Sequence, residues 1–439
     1  MTTIDRAIVA RLRERVGERL NEYVTEAEAA GRPAAAGQDR RMLARKVISE
    51  EIEGLSRSLV RRNRAAIPYE EFDELTRAVL AELFELGPLQ EYIDDPENTD
   101  IAVNGCDVVW LTKRDGRKVR GRPVAESDAA LVELIQTAAR RGRSEQRWDR
   151  GSPTLDMQLP SGDRLNAIAW VSGRPSISIR RHDFGINRLE QLLELGTVTP
   201  PLLDLLRAMV AARFNIVIAG GTGAGKTTFM RCLINEVPPR ERLVTVEDSL
   251  ELGLGRFADL HPDMVDLEGR AANVEGVGAL TMNDLALNAL RMNPGRLVVG
   301  EVRGDEALTL LLACTQGNDG AMCTLHADSS EGVFGRLRMY LAMTRERFEP
   351  AAANMMTAQA LDAIVHVKKV GPGQRAVSSI REVTGSDGEQ VISNEVYGPD
   401  EYGCAVPTGI PFTQERIARL EAVGFDRRTL DQAFMWEHA

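Results

Sequence analysis

The octapeptide Gly220-Gly221-Thr222-Gly223-Ala224-Gly225-Lys226-Thr227, followed by Thr228, constrains this chain more than any other feature. An apolar run at 216–219 precedes it and a helical pattern follows, so the octapeptide must turn a strand into a helix. Gly221, Gly223 and Gly225 let backbone N–H groups wrap a β-phosphate where a Cβ would collide. Lys226 then neutralises β/γ oxygens, the Thr227 hydroxyl is placed to ligate Mg²⁺, and the helix adds its positive end. A glycine-rich turn arising by chance has no reason to end in Lys-Thr-Thr. The expected fold class is α/β, with an ATPase domain built around a P-loop that binds ATP and Mg²⁺.

Three further strand ends carry candidate chemistry. Residues 296–301 form a second apolar run ending in an acid, in the manner of a Walker B motif. Gly300 stands where a Mg²⁺-holding aspartate usually does, which leaves Glu301 to orient or deprotonate the attacking water and sends metal support elsewhere. Residues 244–248 end in Glu247 and Asp248, with Glu251 beyond. Parallel strands bring their C-terminal ends to the same crevice as the phosphate loop, so these acids can reach the Mg²⁺ shell or the water. Successive side chains on a strand alternate in direction, so one of the pair does so directly, and Glu247 is preferred. His326 ends the run 322–325, where it fits a γ-phosphate sensor or relay, although an isolated histidine is more often structural.

Composition bounds the remaining choices. The chain has 439 residues, room for two or three domains, and is 43% hydrophobic and 27% charged, the proportions of a folded globular protein. A net charge of −11 disfavours a general nucleic-acid binder, so no direct nucleic-acid partner is expected. Cys106, Cys232, Cys314, Cys323 and Cys404 show no CxxC pairing, which argues against a zinc site or disulfide framework. Residues 1–16 mix arginine with acid and lack the apolar core of a secretory signal. No apolar run is long enough to cross a bilayer. A cytoplasmic protein is expected, and any membrane role must come through a partner.

The pattern along the chain suggests four parts. Residues 1–64 read as a helical segment with a joint at 31–38, and a helix from 69 stops near Gly87-Pro88. Hairpin signals about Asn104-Gly105 and 160–163, with a strand at 176–180, mark a smaller α+β domain over 65–188. Over 189–399 short apolar strands alternate with helices, which indicates a mostly parallel sheet with helices on both faces. Residues 400–439 read as a helical tail.

Taken together, the P-loop, the acidic box at 247–252, the run Gly300-Glu301-Val302-Arg303 and the box at 320–326 resemble the secretion ATPase superfamily of type II and type IV secretion. Leu86-Gly87-Pro88-Leu89, Ile101-Ala102-Val103-Asn104-Gly105, Ser161-Gly162-Asp163-Arg164-Leu165-Asn166-Ala167, Ala272-Asn273-Val274-Glu275-Gly276 and Asn288-Ala289-Leu290-Arg291-Met292 extend the resemblance from about 86 to 384. Within it the chain is most similar to Tad/Flp pilus assembly ATPases of the CpaF type. The resemblance implies a sensor-like α/β domain joined to a RecA-like ATPase domain, assembly as a homo-hexamer with ATP between domains and subunits, and docking on an inner-membrane platform protein. It implies a motor for pilus assembly or protein secretion, with conjugative type IV secretion as the alternative. A RecA-like DNA translocase and a non-catalytic, ATP-locked scaffold are the remaining readings. Arg164, Arg174, Arg180 and Arg181, and Arg303 just past Glu301, are the arginines placed to meet developing phosphate charge. One departure stands out: Gln316-Gly317-Asn318-Asp319-Gly320 has Asn318 where the family usually has a histidine.

Overall fold

Three amphipathic helices begin the chain, α1 (Arg6–Ala29), α2 (Gly37–Arg61) and α3 (Tyr69–Phe84). The computed structural model describes residues 6–33, 35, 37–141, 147–270, 272, 276–371 and 373–432. Val9, Leu12, Val16 and Leu20, spaced three and four apart on α1, share one core with Val47, Ile48 and Ile52 of α2 and Leu75 and Val79 of α3. The short α4 (Gln90–Asp94) leads to β1 (Asn98–Asn104), β2 (Val109–Lys113), β3 (Lys118–Arg120), α5 (Asp128–Arg141), β4 (Thr154–Gln158), β5 (Arg164–Ile168) and β6 (Ser176–Arg180). These strands form a sheet in the order β3-β2-β1-β6-β5-β4, antiparallel at every pairing. Alternation along the strands buries Ile101, Val103, Leu165, Ile177 and Ile179 with Leu131 and Ile135 of α5. The same alternation puts Arg164 and Arg180 on the opposite face.

The chain divides into two compact units after Arg181, so the helical segment and the antiparallel sheet fall in one unit. The second unit holds α6 (Leu189–Glu194), α7 (Pro200–Ala211), β7 (Ile216–Ala219), α8 (Lys226–Ile234), β8 (Leu243–Glu247), β9 (Met264–Glu268), α9 (Met282–Leu290), β10 (Arg296–Val302), α10 (Glu306–Thr315), β11 (Met322–Leu325), α11 (Gly332–Met343), α12 (Pro350–Ala360), β12 (Ala363–Gly371), β13 (Gln374–Ser386), β14 (Val391–Pro399), β15 (Ala405–Pro407), α13 (Gln414–Ala422) and α14 (Arg428–Gln432). Its sheet runs β15-β14-β13-β12-β7-β11-β10-β8-β9. From β9 to β12 every pairing is parallel, and β13 to β15 extend the edge antiparallel. Period-two alternation divides β7 between two cores: Ile216 and Ile218 join the α7 and α8 side, Val217 and Ala219 the α10 and α11 side. This is a mixed-sheet, RecA-like ATPase fold.

The expected helical tail over 400–439 is corrected in two respects. β15 pairs with β14, and Phe412, Ile417, Leu420 and Phe425 are buried in the same core as α7 and α8. Arg416 and Arg419 both lie 2.7 Å from Asp362 Oδ1. Residues 405–425 are therefore integral to the ATPase unit, because their apolar positions complete its core. Residues 433–439 of the expected tail lie outside the described residues, as do 273–275 of the resembling motifs. Among the described residues no helix is long and apolar enough to cross a membrane.

Candidate active site

The P-loop leaves β7 at Gly220 and enters α8 at Lys226. Gly220, at φ 155°, lies so close to β12 that a Cβ would sit 2.3 Å from Val367 O. Gly225 caps α8 at φ 91° with no side-chain cap, so the first N–H groups of the helix stay available to an anion. Lys226 is buried, and its Nζ donates to Gly220 O at 3.0 Å and Gly221 O at 3.2 Å. Thr227 and Thr228 occupy the first turn of α8.

Both ring nitrogens of His326, just past β11, lie 3.3 Å from Lys226 Nζ. On its other side His326 Nε2 is 2.6 Å from Glu301 Oε1. That oxygen has no well-aligned hydrogen bond, so the contact is electrostatic in kind. Burial, and then the Lys226 ammonium, push His326 below the usual imidazole range against the pull of Glu301, which keeps the ring neutral at pH 7. Lys226, His326 and Glu301 thus form one continuous line across β7, β11 and β10.

A bulge aims Glu301. Val299 pairs with Cys323 but Val302 pairs with Leu325, so β10 carries one extra residue at Gly300–Glu301. Thr324 Oγ1 donates to Gly300 O at 2.6 Å and fixes the bulge. Arg303 pairs with Glu301 through Nη2 and lies 3.7 Å from Asp248 Oδ2 through Nη1.

The glycine of this atypical Walker B run has a steric reason. A Cβ on Gly300 would come 2.9 Å from Glu247 Cγ and 3.5 Å from Glu247 Oε2, so Glu247 occupies the space that an aspartate at 300 would need. Glu247 is buried, and its Oε2 accepts the Leu252 N–H at 2.8 Å. Burial pushes its carboxyl up to about 8. Of the adjacent acids it is Asp248 that is exposed, beside Arg303. The residues fit Mg²⁺-ATP in one respect that matters: the buried Lys226 ammonium is held by backbone carbonyls alongside uncapped helix N–H groups, a set that suits polyphosphate. Thr227 would hold the metal, with Glu247 reaching it through water, and a cation there would favour the ionised carboxylate. Bound Mg²⁺ would supply charge neutralisation of phosphate oxygens.

The four arginines of the first unit separate into two kinds. Arg174 pairs with Asp128 at 2.6 Å and Asp107 at 2.8 Å, and packs over Gly105, where any Cβ would lie 2.0 Å from its Cζ. Arg181 Nη1 donates to Asp95 O at 2.6 Å and Asn98 O at 2.9 Å. Both therefore brace their own sheet. Arg164 and Arg180 are directly opposite on β5 and β6, with Asp100 across from Arg180 on β1 and Asp156 3.9 Å from Arg164.

Two features escaped the sequence reading. Arg231, on the apolar helix α8, is buried and donates to Leu252 O, Glu251 O, Asp183 O and Ile186 O, tying the phosphate-loop helix to the acidic box. A lone arginine within Phe-Met-Arg-Cys-Leu-Ile was the only available signal. Lys369 and Arg375, from the β12–β13 hairpin, lie against the P-loop, with Arg375 Nε donating to Gly223 O at 3.2 Å.

A model of the type II/IV secretion system protein family matches residues 82–395. A Mycobacterium tuberculosis protein named for conjugal transfer is 33% identical over 322 residues, covering 71% of this chain and 88% of its own length. The type IV secretion system protein VirB11 of Brucella suis is 29% identical over 312 residues, 65% of this chain and 84% of its own. The crystal structure of the Brucella suis VirB11 ATPase with sulphate aligns at 26% identity and a TM-score of 0.37, over 71% of this chain and 99% of that one.

Proposed function

The chain belongs to the type II/IV secretion system protein family and is an NTPase of it, and from that premise we propose that it is the ATP-hydrolysing motor of a type IV secretion system. The observation that carries the reading is the line of Lys226, His326 and Glu301 at the end of parallel strands. Lys226 and the α8 N-terminus bind the β- and γ-phosphates, and Thr227 with Glu247 supports Mg²⁺. Glu301 orients and deprotonates the attacking water, and neutral His326 relays between Glu301 and the γ-phosphate. Arg303 holds Glu301 in place, and Arg164 and Arg180 contribute positive charge to turnover.

The conjugal-transfer and VirB11 relatives support type IV secretion over the Tad/Flp pilus reading drawn from the motifs alone. The working form is a homo-hexamer at the inner face of the cell membrane, docked on a membrane partner of the secretion apparatus. The test pairs purified protein with its host. Lys226→Ala should abolish hydrolysis, and near-unaltered turnover would sink the ATPase assignment. Deleting the gene should stop conjugative or effector transfer; loss of surface pili with transfer intact would return the function to pilus assembly.

A further inference from the structure

Strand β12 pairs with β7 in parallel up to His366 opposite Ala219. The residues that follow on each strand must then run side by side, so 367–369 become a wall of the P-loop. Val367 O fills the space beside Gly220, and Lys369 Nζ lies 2.8 Å from where a Gly223 Cβ would be. β13 returns with Arg375 directly opposite Lys369. Arg375 Cδ lies 3.0 Å from the Cβ position of Gly225, and its Nε donates to Gly223 O. Both side chains are exposed, and neither has a carboxylate within ion-pair distance among the described residues.

Two like charges directly opposite on an antiparallel pair destabilise it. Here the pair stands over a loop that already holds the Lys226 ammonium and the positive end of α8. An anion between them turns that repulsion into attraction. Arg375 has a second effect: by fixing the Gly223 carbonyl it fixes the plane of the peptide joining Gly223 to Ala224, whose N–H points the opposite way.

We infer that Lys369 and Arg375 are nucleotide-binding residues, a cationic clamp supplied by the same unit as the P-loop that grips the polyphosphate of ATP. The inference rests on the ATPase reading above, and it adds positive charge that Lys226 alone does not give. The clamp acts on binding, so it governs KM more than kcat.

Direct titration of the purified chain with ATP tests it. Lys369→Ala and Arg375→Ala should each weaken ATP binding about tenfold, the size of a lost charge-assisted hydrogen bond. Lys369→Glu should weaken it further, and Arg375→Lys should recover part of the loss. Melting temperatures without nucleotide should not fall for Lys369→Ala and Arg375→Ala, because both side chains are exposed and losing one charge relieves the repulsion between them. Lys368→Glu is the control: the neighbouring residue points to the other face, with Nζ 3.5 Å from the Cβ position of Gly403, and should bind ATP within about twofold of the unaltered chain. If Lys369→Glu and Arg375→Ala bind ATP as the unaltered chain does, the clamp is wrong and the ATPase reading stands. If the unaltered chain binds no nucleotide, both fall.

Discussion

The two sheets of this molecule carry their chemistry in different places. In the second unit, β7, β8, β10 and β11 run parallel, so Lys226, Glu247, Glu301 and His326 all emerge at one edge. In the first unit every pairing is antiparallel, strand ends point both ways, and the charged residues accumulate on a face instead, Arg164 opposite Arg180. A parallel edge holds each group between two fixed neighbours and can set a water against a phosphate. An antiparallel face presents charge over an area. On the function proposed above, bond-making falls to the second unit and charge supply to the first.

Several substitutions would break or sharpen that contrast. The largest effect belongs to Glu301→Gln, which keeps the shape of the bulge but not its basicity. ATP binding should persist while turnover falls about 10²- to 10⁴-fold, measured by titration beside steady-state hydrolysis. If Glu301→Gln turns over normally and Glu247→Gln is dead, the roles of the two acids exchange. Next, replacing Arg164 and Arg180 together with alanine should lower kcat about tenfold or more with little change in melting temperature. Arg174→Ala should do the reverse, because its guanidinium is held by Asp107 and Asp128. Equal kinetic effects from both sets would erase the division between bracing and charge-supplying arginines.

The smallest effect concerns stability. Glu247 titrates near 4.5 when unperturbed and is pushed up to about 8 in the folded chain. Between those values the folded state keeps a proton that the unfolded state has released, so stability falls as pH rises from about 4.5 to about 8. Glu247→Gln removes that dependence while its amide oxygen can still accept the Leu252 N–H. Without nucleotide or metal, the variant should melt above the unaltered chain at pH 8 by about 2–4 °C for each kcal/mol gained, and the gap should close toward pH 5. A gap of constant size across that range would show that Glu247 is already ionised.

Much of this site was legible before any coordinates. The P-loop, the two hairpins of the first unit and the four central strands carry strong local signals, glycine at forced turns and unbroken apolar runs between helices. The edge strands β13 to β15 did not. Their runs, such as Gln-Arg-Ala-Val-Ser-Ser-Ile-Arg-Glu, show no apolar pattern because Ser378, Ser379 and Glu382 are themselves buried there. The partition of the four arginines was equally invisible, since nothing local distinguishes Arg174, seated on Gly105 with two aspartates, from Arg180. Gly300 was legible as a departure, but its reason was not. Only pairing β8 beside β10 reveals that the space belongs to Glu247.

The late arrival of the 405–425 segment bears on how the protein is made. Everything in the cores of the first unit lies before Arg181, so that unit can close while the ribosome is still translating the rest. The second unit cannot. Phe412, Ile417, Leu420 and Phe425 seal a core whose first walls, on α7 and α8, were synthesised some two hundred residues earlier. Until they emerge, α7 and α8 present an open apolar surface, and the phosphate loop rests on an unfinished foundation. The core beneath α8 is therefore completed only when the 405–425 segment docks.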